Sequence, residues 1–570
     1  MFFIVVSWLL LFVAIAALGS LSRWADPADE SLDVFQTFWI GVGLLTSLIE
    51  VGSLFLPLDL RFQIAVLLLS LVGLPSLVRH VAASRPWGGA WGSGAITLLL
   101  ALRAAAGAVT RRCVVPYDTD LYHFPSVRWM KEFAAVPGLA NLHCRLGFNS
   151  AFLLFSALVD NGIWSLKSAW ITSGFLHIVV TGQFVHAVVG RRQGNPRRAV
   201  LFALFSLAYL IRAVVSYGAD LSYDRPALIV QMVLLFELLR FPLDRRPSSG
   251  GRVAVILVLS VLGFAIKPTG LVFMVLGVLF AGYVLFRDFS FRQSAMVTVI
   301  PALILGGYLA RNAILSGWLL YPAPFGRLNV SWAMPSSPVQ GREMPPDLQC
   351  VTGLYRTIKA FARVPGPGHL NAVDKGIQYW LPQWWDQNKA TSEMKLFWAG
   401  TLLMVLYLSA LCLKRGSPVL RELYYAAYPL LGLSFWFVSA PDMRYGDAYF
   451  WMLPALALSG ILSLETFTPR TAISAAALCF IFLCALAHLD FAIRHRVWLW
   501  RTPVARGLPT HEVTLKNGQD PPLVVFVPEV LEESDQCGDA PLPCTPHPRD
   551  TLMMRTPGSL GDGFYVEQNP

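Results

Sequence analysis

Residues 253–287 read VAVILVLSVLGFAIKPTGLVFMVLGVLFAGYVLFR, and this stretch decides the fold class. Two apolar runs, 253–266 and 269–286, meet at a turn around Lys267 and are bracketed by Arg252 and Arg287. A helix needs roughly 20 apolar residues to cross hydrocarbon, so the pair reads as two adjacent membrane crossings. The pattern recurs outward in both directions. Further apolar runs fall at 2–20, 35–58, 62–78, 92–109, 168–190, 199–217, 226–241, 295–311, 395–413, 422–440, 448–465 and 471–489. Together they make fourteen, and the expected fold class is an all-α, polytopic transmembrane helical bundle of about 12–15 spans.

Composition leads to the same place. Of 570 residues 55% are hydrophobic and only 14% charged, against roughly 25% charged in ordinary globular proteins. Mean hydropathy is +0.55. A soluble or disordered chain is excluded, because one water-soluble core could not hide that much apolar surface. The first run lacks a basic leader and a small-residue cleavage site, so it is expected to stay as a span. The net charge of +10 does not point to nucleic acid. Its Lys and Arg residues fall in short clusters between apolar runs, where they set topology, and no nucleic-acid partner is expected.

Those clusters orient the chain. Arg191-Arg192 with Arg197-Arg198, Arg245-Arg246 with Arg252, Arg287 with Arg292, and Lys414-Arg415 with Arg421 are assigned to the cytoplasm. The segments between them, 218–225, the Lys267 turn, 312–394, 441–447 and the tail from 490, then lie on the opposite face. Segment 151–164 is too short to cross comfortably and reads as a re-entrant or interfacial helix, which puts the polar loop 110–150 outside as well. If 151–164 does cross, that loop is cytoplasmic. The acidic 26–33 loop fits the first orientation poorly. The resulting organisation is N-terminal helices 1–109, an extracytoplasmic motif loop 110–165, helices 166–311, a large loop 312–394 without an extended helical pattern, helices 395–489, and an extracytoplasmic tail 490–570. The expected location is the bacterial inner membrane, with the lipid bilayer as partner.

Cys412, Cys479 and Cys484 lie in or beside apolar runs and read as small hydrophobes. Cys537 and Cys544 lie in a Pro-rich stretch on the oxidising side, where a short-loop disulfide and two free thiols are both open readings. No zinc spacing is present.

The polar residues that could do chemistry are few. Tyr117-Asp118-Thr119-Asp120-Leu121-Tyr122-His123 mixes acids, an imidazole and aromatics, and Arg128, His143 and Arg145 follow within the same loop. Leu121, Phe124, Val127 and Met130 have helical spacing, which predicts an interfacial helix over 119–135 with Asp118 or Thr119 near its N-cap. Three readings compete for the two acids. They are a cap and a solvated acid, ligands of a divalent cation, or a general base for an acceptor hydroxyl. Residues two apart on a helix do not share a face, so only one of the pair is expected to face a site. Glu50 sits inside an apolar run close enough to its end to reach water.

The Tyr-Asp-Thr-x-x-Tyr-His block, the Val136-Pro137-Gly138 to Asn149 block, Ala440-Pro441-Asp442-Met443-Arg444-Tyr445-Gly446 and the Cys537…Cys544 tail together resemble an uncharacterised family of large bacterial membrane proteins. That family is similar in layout to the GT-C glycosyltransferases. The resemblance implies a polyprenyl-phosphate-linked sugar donor and an essential acid in an early external loop. Asp118 matches that acid by position, with Asp120 as substitute and His123 as an orienting group. About four runs precede the loop here, where those enzymes usually have one.

A leaving phosphate needs cationic stabilisation. Arg444 is a candidate, as are Arg128, Arg225, Lys267 and Arg311; Arg444 ranks above Lys267 because a guanidinium can hold phosphate bidentately, and Arg444 with Arg225 are the expected phosphate-side stabilisers. Asp442 is the internal partner expected for Arg444. Asp220 and Asp224 could line an acceptor cleft or cap the run that Pro226 begins. Tryptophans of 312–394 read as an interfacial belt, with Trp384 and Trp385 the candidates for stacking on a sugar ring. The expectation is therefore a membrane glycosyltransferase of the GT-C type acting on an envelope glycan, lipid or protein, with no certain cofactor beyond a possible divalent cation. The rival readings are a transporter or flippase for an envelope precursor and a structural or assembly subunit.

Overall fold

The computed structural model describes residues 1–24, 32–83, 90–110, 116–189, 196–216, 220–242, 250–336, 351–364, 375–413, 419–464, 507–529 and 536–567. Its helices in chain order are α1 (Phe2–Ser20), α2 (Val34–Gly52), α3 (Leu60–Ala83), α4 (Ala90–Thr110), α5 (Phe124–Glu132), α6 (Ala151–Val159), α7 (Ser168–Val189), α8 (Arg197–Ser216), α9 (Asp224–Arg240), α10 (Gly251–Ile266), α11 (Leu271–Asp288), α12 (Phe291–Ser316), α13 (Val351–Arg363), α14 (Ile377–Asn388), α15 (Ser392–Leu413), α16 (Val419–Ser439) and α17 (Met443–Leu464). Thirteen of the fourteen apolar runs coincide with one of these helices; the run 471–489 lies outside the described residues. Eight helices, α1 to α4, α7, α11, α12 and α15, are long and apolar enough to cross a membrane. Arg191-Arg192, Arg245-Arg246, Lys414-Arg415, Cys479 and Cys484 also lie outside the described residues.

The helices sort by burial. In α9 and α10 nearly every side chain is buried, and α7 is buried along most of its length. By contrast α3, α12 and α15 turn most of their apolar surface outward, with Leu68, Leu71, Leu303, Leu402 and Val405 among the exposed side chains. A ring of apolar side chains around a buried centre is what lipid-facing helices require. Lipid tails are as apolar as leucine, so helix association there rests on close packing and on hydrogen bonds between helices. Both are present. A Cβ on Gly41 of α2 would strike the Ile15 carbonyl of α1, and one on Gly73 of α3 would strike the Ala17 carbonyl. Trp39 donates to Gln183 (2.9 Å), Gln183 and Gln36 donate to Glu237 (3.0 and 2.7 Å), and Arg240 bonds both Glu237 and Asp33. This network ties α2, α7 and α9 at one end of the bundle, where Asp33 also caps α2 in a capping box with Gln36.

The other end holds the polar segments. α6 has nine residues, about 13 Å of helix, too short to span. Both its ends are fixed there, Ser150 donating to the Ile266 carbonyl (2.8 Å) and Asn161 to Leu58 (2.9 Å).

Four expectations change. The 312–394 segment carries two helices, α13 and α14. Leu354, Ile358 and Phe361 recur at i, i+4 and i+7, while Trp380 and Trp384 at i, i+4 point inward, a helical pattern partly hidden by the surrounding prolines. The chain is not all-α: the tail forms two antiparallel hairpins, β1 (Thr510–Thr514) with β2 (Val524–Pro528) and β3 (Leu552–Thr556) with β4 (Ser559–Val566). Runs of five to eight residues such as Val524-Val525-Phe526-Val527 are strand length and β-branched. The helix expected over 119–135 ends at Glu132, because Phe133 is extended, and its four apolar positions are all buried in protein. Glu50 is fully buried and does not reach water.

Candidate functional site

The segment entering α5 is not a plain helix. Residues Thr119–His123 form a π turn in which the Phe124 amide reaches back five residues to the Thr119 carbonyl. Such widened turns occur often at functional sites. Asp118 sits at its start and makes no capping bond, so the cap reading of this acid does not apply. Its carboxylate instead lies between two guanidinium groups, 3.7 Å from Arg145 Nη1 and 3.5 Å from Arg444 Nη1.

Around this pair four distant segments converge. Asp224, at the start of α9, is ion-paired to Lys267 from the turn after α10 and lies 3.9 Å from Arg444. Asp442 lies 3.8 Å from Arg444 and accepts the Arg444 backbone N–H at 2.9 Å, turning the chain into α17. Lys267 also sits over the Tyr445 ring at 3.7 Å. Three cations and three carboxylates thus form one cluster, with residues from 118, 145, 224, 267 and 442–444. Ion pairs, whether half-exposed or buried, are weak contributors to stability, which makes a cluster of six charges a functional candidate.

The charges are not equally committed. Lys267 is held by Asp224 and capped by Tyr445. Burial alone would raise the Asp224 carboxyl, but Lys267 and Arg444 outweigh it and hold the group below its ordinary value. Arg444 is different. Its side chain is 46% exposed; among the described residues its three carboxylate neighbours lie at 3.5 to 3.9 Å, too long for good hydrogen bonds, and its one close side-chain bond is Nη2 to the Tyr445 hydroxyl at 2.7 Å. Phe361 of α13 borders it. Asp118 receives no hydrogen bond from the described residues, its two oxygens meeting Arg145 and Arg444 at ion-pair distance only.

His123 forms the inner wall. It is buried, stacked edge-on to Tyr122 (4.3 Å) and Tyr223 (5.4 Å), and its Nδ1 has no partner among the described residues. Burial pushes its imidazole down to about 3, so it is neutral at physiological pH. Asp120 shares no ion pair with the cluster among the described residues, and burial pushes its carboxyl up to about 6. Asp220 caps its own turn, accepting from the Ser222 N–H at 2.9 Å, and burial raises it to about 6 against the opposing pull of Arg225. His143 is buried nearby and pushed down to about 3, first by burial and then by Arg145, His547 and Arg549.

Several sequence candidates are not brought here. Arg128 faces the tail and bonds Glu132 and the Asp539 and Ala540 carbonyls. Arg311 is buried in α12 and bonds Ser53 at 3.0 Å. Trp384 is a packing residue: its ring meets Trp436 and Phe437 and its N–H donates to the Pro441 carbonyl at 2.7 Å, leaving no face for a sugar. Trp385 is part exposed against Trp398 of α15, as a belt residue would be. Tyr445, Tyr223 and Phe361 complete the cluster and were not singled out from sequence. The signal available was an aromatic adjacent to each charged motif and the apolar spacing of α13. Cys537 and Cys544 are disulfide-bonded.

Among the described residues no three His, Cys, Asp or Glu side chains are grouped to hold a metal, and each acid of the cluster faces a cation. The described residues of the cluster do not fit a divalent cation. An apolar cavity of about 50 Å³ between Phe38, Phe155, Phe175 and Ile266 lies inside the bundle, apart from the cluster.

A mostly helical fold with eight helices able to cross a membrane, and a half-open polar cluster at one end, defines a helical membrane protein. Over residues 1–451 the chain matches the family described as Domain of unknown function (DUF8201), and it belongs to that family. No curated protein and no solved structure matches it.

Proposed function

We propose that the protein is an integral membrane glycosyltransferase of the GT-C type, working at the extracytoplasmic face of the bacterial inner membrane. It would take a sugar from a polyprenyl-phosphate donor and pass it to an envelope glycan, lipid or protein. The observation that carries this reading is Asp118, a carboxylate that receives no hydrogen bond from the described residues and is flanked by Arg145 and Arg444. Asp118 removes the proton of the acceptor hydroxyl as the acceptor oxygen bonds the anomeric carbon. The bond from that carbon to the phosphate oxygen breaks, and the charge left on the polyprenyl phosphate falls to the exposed Arg444. Neutral His123 and Tyr223 orient the acceptor, while Lys267 holds Asp224 so that it does not compete with the phosphate for Arg444.

This is tested by measuring polyprenyl phosphate retained by the full-length protein in detergent, by native mass spectrometry. Arg444→Ala is expected to lower retention by about tenfold or more, consistent with loss of a charge-assisted bidentate contact. Equal retention by wild type and Arg444→Ala overturns the phosphate assignment. One observation favours the transporter reading: Glu50 is fully buried, both its oxygens lack partners among the described residues, and Arg311 is the cation whose charge acts on it. Glu50→Gln would then abolish substrate movement while leaving retention unchanged.

A further inference from the structure

The cluster is built from segments before residue 451, yet the turn that aims Asp118 is held from outside by the tail. A π turn shifts the hydrogen-bond ladder by one residue. The Phe124 N–H goes to Thr119, so it no longer serves the Asp120 carbonyl as it would in an α-helix. That carbonyl accepts instead from the Gly538 N–H, inside the disulfide-closed loop, at 2.7 Å. Gln536 Nε2 donates to the Tyr117 carbonyl at 3.0 Å. The backbone is therefore gripped by the tail on both sides of Asp118, at Tyr117 and at Asp120.

The loop is in turn seated by one side chain. Arg128 Nη1 donates to the Asp539 and Ala540 carbonyls at 2.9 and 2.8 Å, and its Nε donates to Glu132 at 2.7 Å, which fixes the guanidinium plane. Farther along, Thr545 bonds the Leu142 carbonyl at 3.1 Å, Arg549 bonds the Asn141 carbonyl, and the Phe564 N–H bonds Pro137 at 2.9 Å. These contacts keep the tail on the motif loop but do not touch Asp118.

We propose that the disulfide-closed loop 537–544 is a clamp that maintains the π turn and so the aim of Asp118, with Arg128 as the positioning residue that seats it. Its functional consequence rests on the glycosyltransferase reading; its structural content does not. Without the clamp, the Asp120 carbonyl regains its partner by relaxing the turn to α, which rotates Asp118 about the helix axis and away from Arg444.

Hydrogen exchange read by mass spectrometry on the full-length protein in detergent tests this. In Arg128→Ala and in the Cys537→Ser/Cys544→Ser double variant, amides of 119–124 should exchange about tenfold faster or more, with α10 unchanged as the control for folding. Gln536→Ala, a milder change at a half-buried residue, should give a smaller increase, and Arg128→Lys should recover most of the protection. Asp118→Asn should leave exchange at 119–124 as in wild type. Surface glycan should fall in Arg128→Ala and recover in Arg128→Lys. Unchanged exchange at 119–124 in both Arg128→Ala and Gln536→Ala, with the tail itself exchanging faster, overturns the clamp. Faster exchange with normal surface glycan in every variant, Asp118→Asn included, leaves the clamp standing and removes the glycosyltransferase reading.

Discussion

Asp220 and Asp118 are aspartates at the same end of the bundle, held in different ways. Asp118 is met by two arginines, whereas Asp220 is buried, accepts one backbone N–H and feels the opposing pull of Arg225. Burial lifts Asp220 from 3.8 to about 6, so the folded protein binds its proton more tightly than the unfolded chain does. Its contribution to stability is therefore fully present below pH 3.8 and is lost as pH rises through about 6. Asp220→Asn removes that loss. The variant is expected to gain a few degrees in melting temperature over wild type at pH 7.5 and little or nothing at pH 4. His123 and His143, pushed down by burial, act in the opposite sense, losing stability as pH falls below the ordinary histidine range. Comparing variant with wild type at each pH cancels them, and a difference constant across pH contradicts the account. The residue types at 118, 145, 224, 267, 442 and 444 could be read from sequence, because charge is scarce in an apolar chain. Their pairing could not. Asp442 was the visible neighbour of Arg444, but Asp118 lies more than 300 residues away in the chain and meets it only through the fold.

Helix contacts in this bundle depend on backbones that approach closely. Gly19 of α1 and Gly41 of α2 face one another so tightly that an added Cβ on either meets backbone of the other helix. Backbone cannot yield as a side chain can, and overpacking of this kind costs about 1–3 kcal/mol or more. Gly41→Val should sharply reduce the monodisperse fraction in detergent by size-exclusion chromatography. Gly306→Ala, whose Cβ would meet nothing within 4 Å, should elute as wild type. Equal behaviour of the two would mean that α1 and α2 do not pack as described. Helix positions were legible because lipid demands long apolar runs, and thirteen of them fall on helices. What remained hidden was short or polar structure. α13 and α14 are broken up by proline-rich flanks, the π turn has no composition of its own, and the tail strands are too brief to stand out from a loop.

Loops 116–149, 220–225 and 440–446 and the tail, scattered along the chain, meet at one end, while Asp33, Glu237 and Arg240 bond at the other. The proposed function requires the first end to face out of the cell. A single added cysteine at Asp386, whose side chain is 69% exposed, should react with a membrane-impermeant maleimide on intact cells once Cys113, Cys144, Cys350, Cys412, Cys479 and Cys484 are replaced by serine and only the Cys537–Cys544 disulfide is kept. One at Arg292, beside the start of α12, should react only after the membrane is opened. The reverse pattern would invert the molecule and strand the cluster in the cytoplasm.

The central claim is that Asp118 takes the acceptor proton. Asp118→Asn keeps the shape of the side chain and removes its charge and basicity. The most direct measurement is the surface-glycan composition of cells carrying Asp118→Asn as their only copy, with the membrane level of the protein quantified in the same cells. The account predicts loss of one sugar-containing component at an unchanged protein level. An unaltered glycan at an unchanged protein level would contradict it.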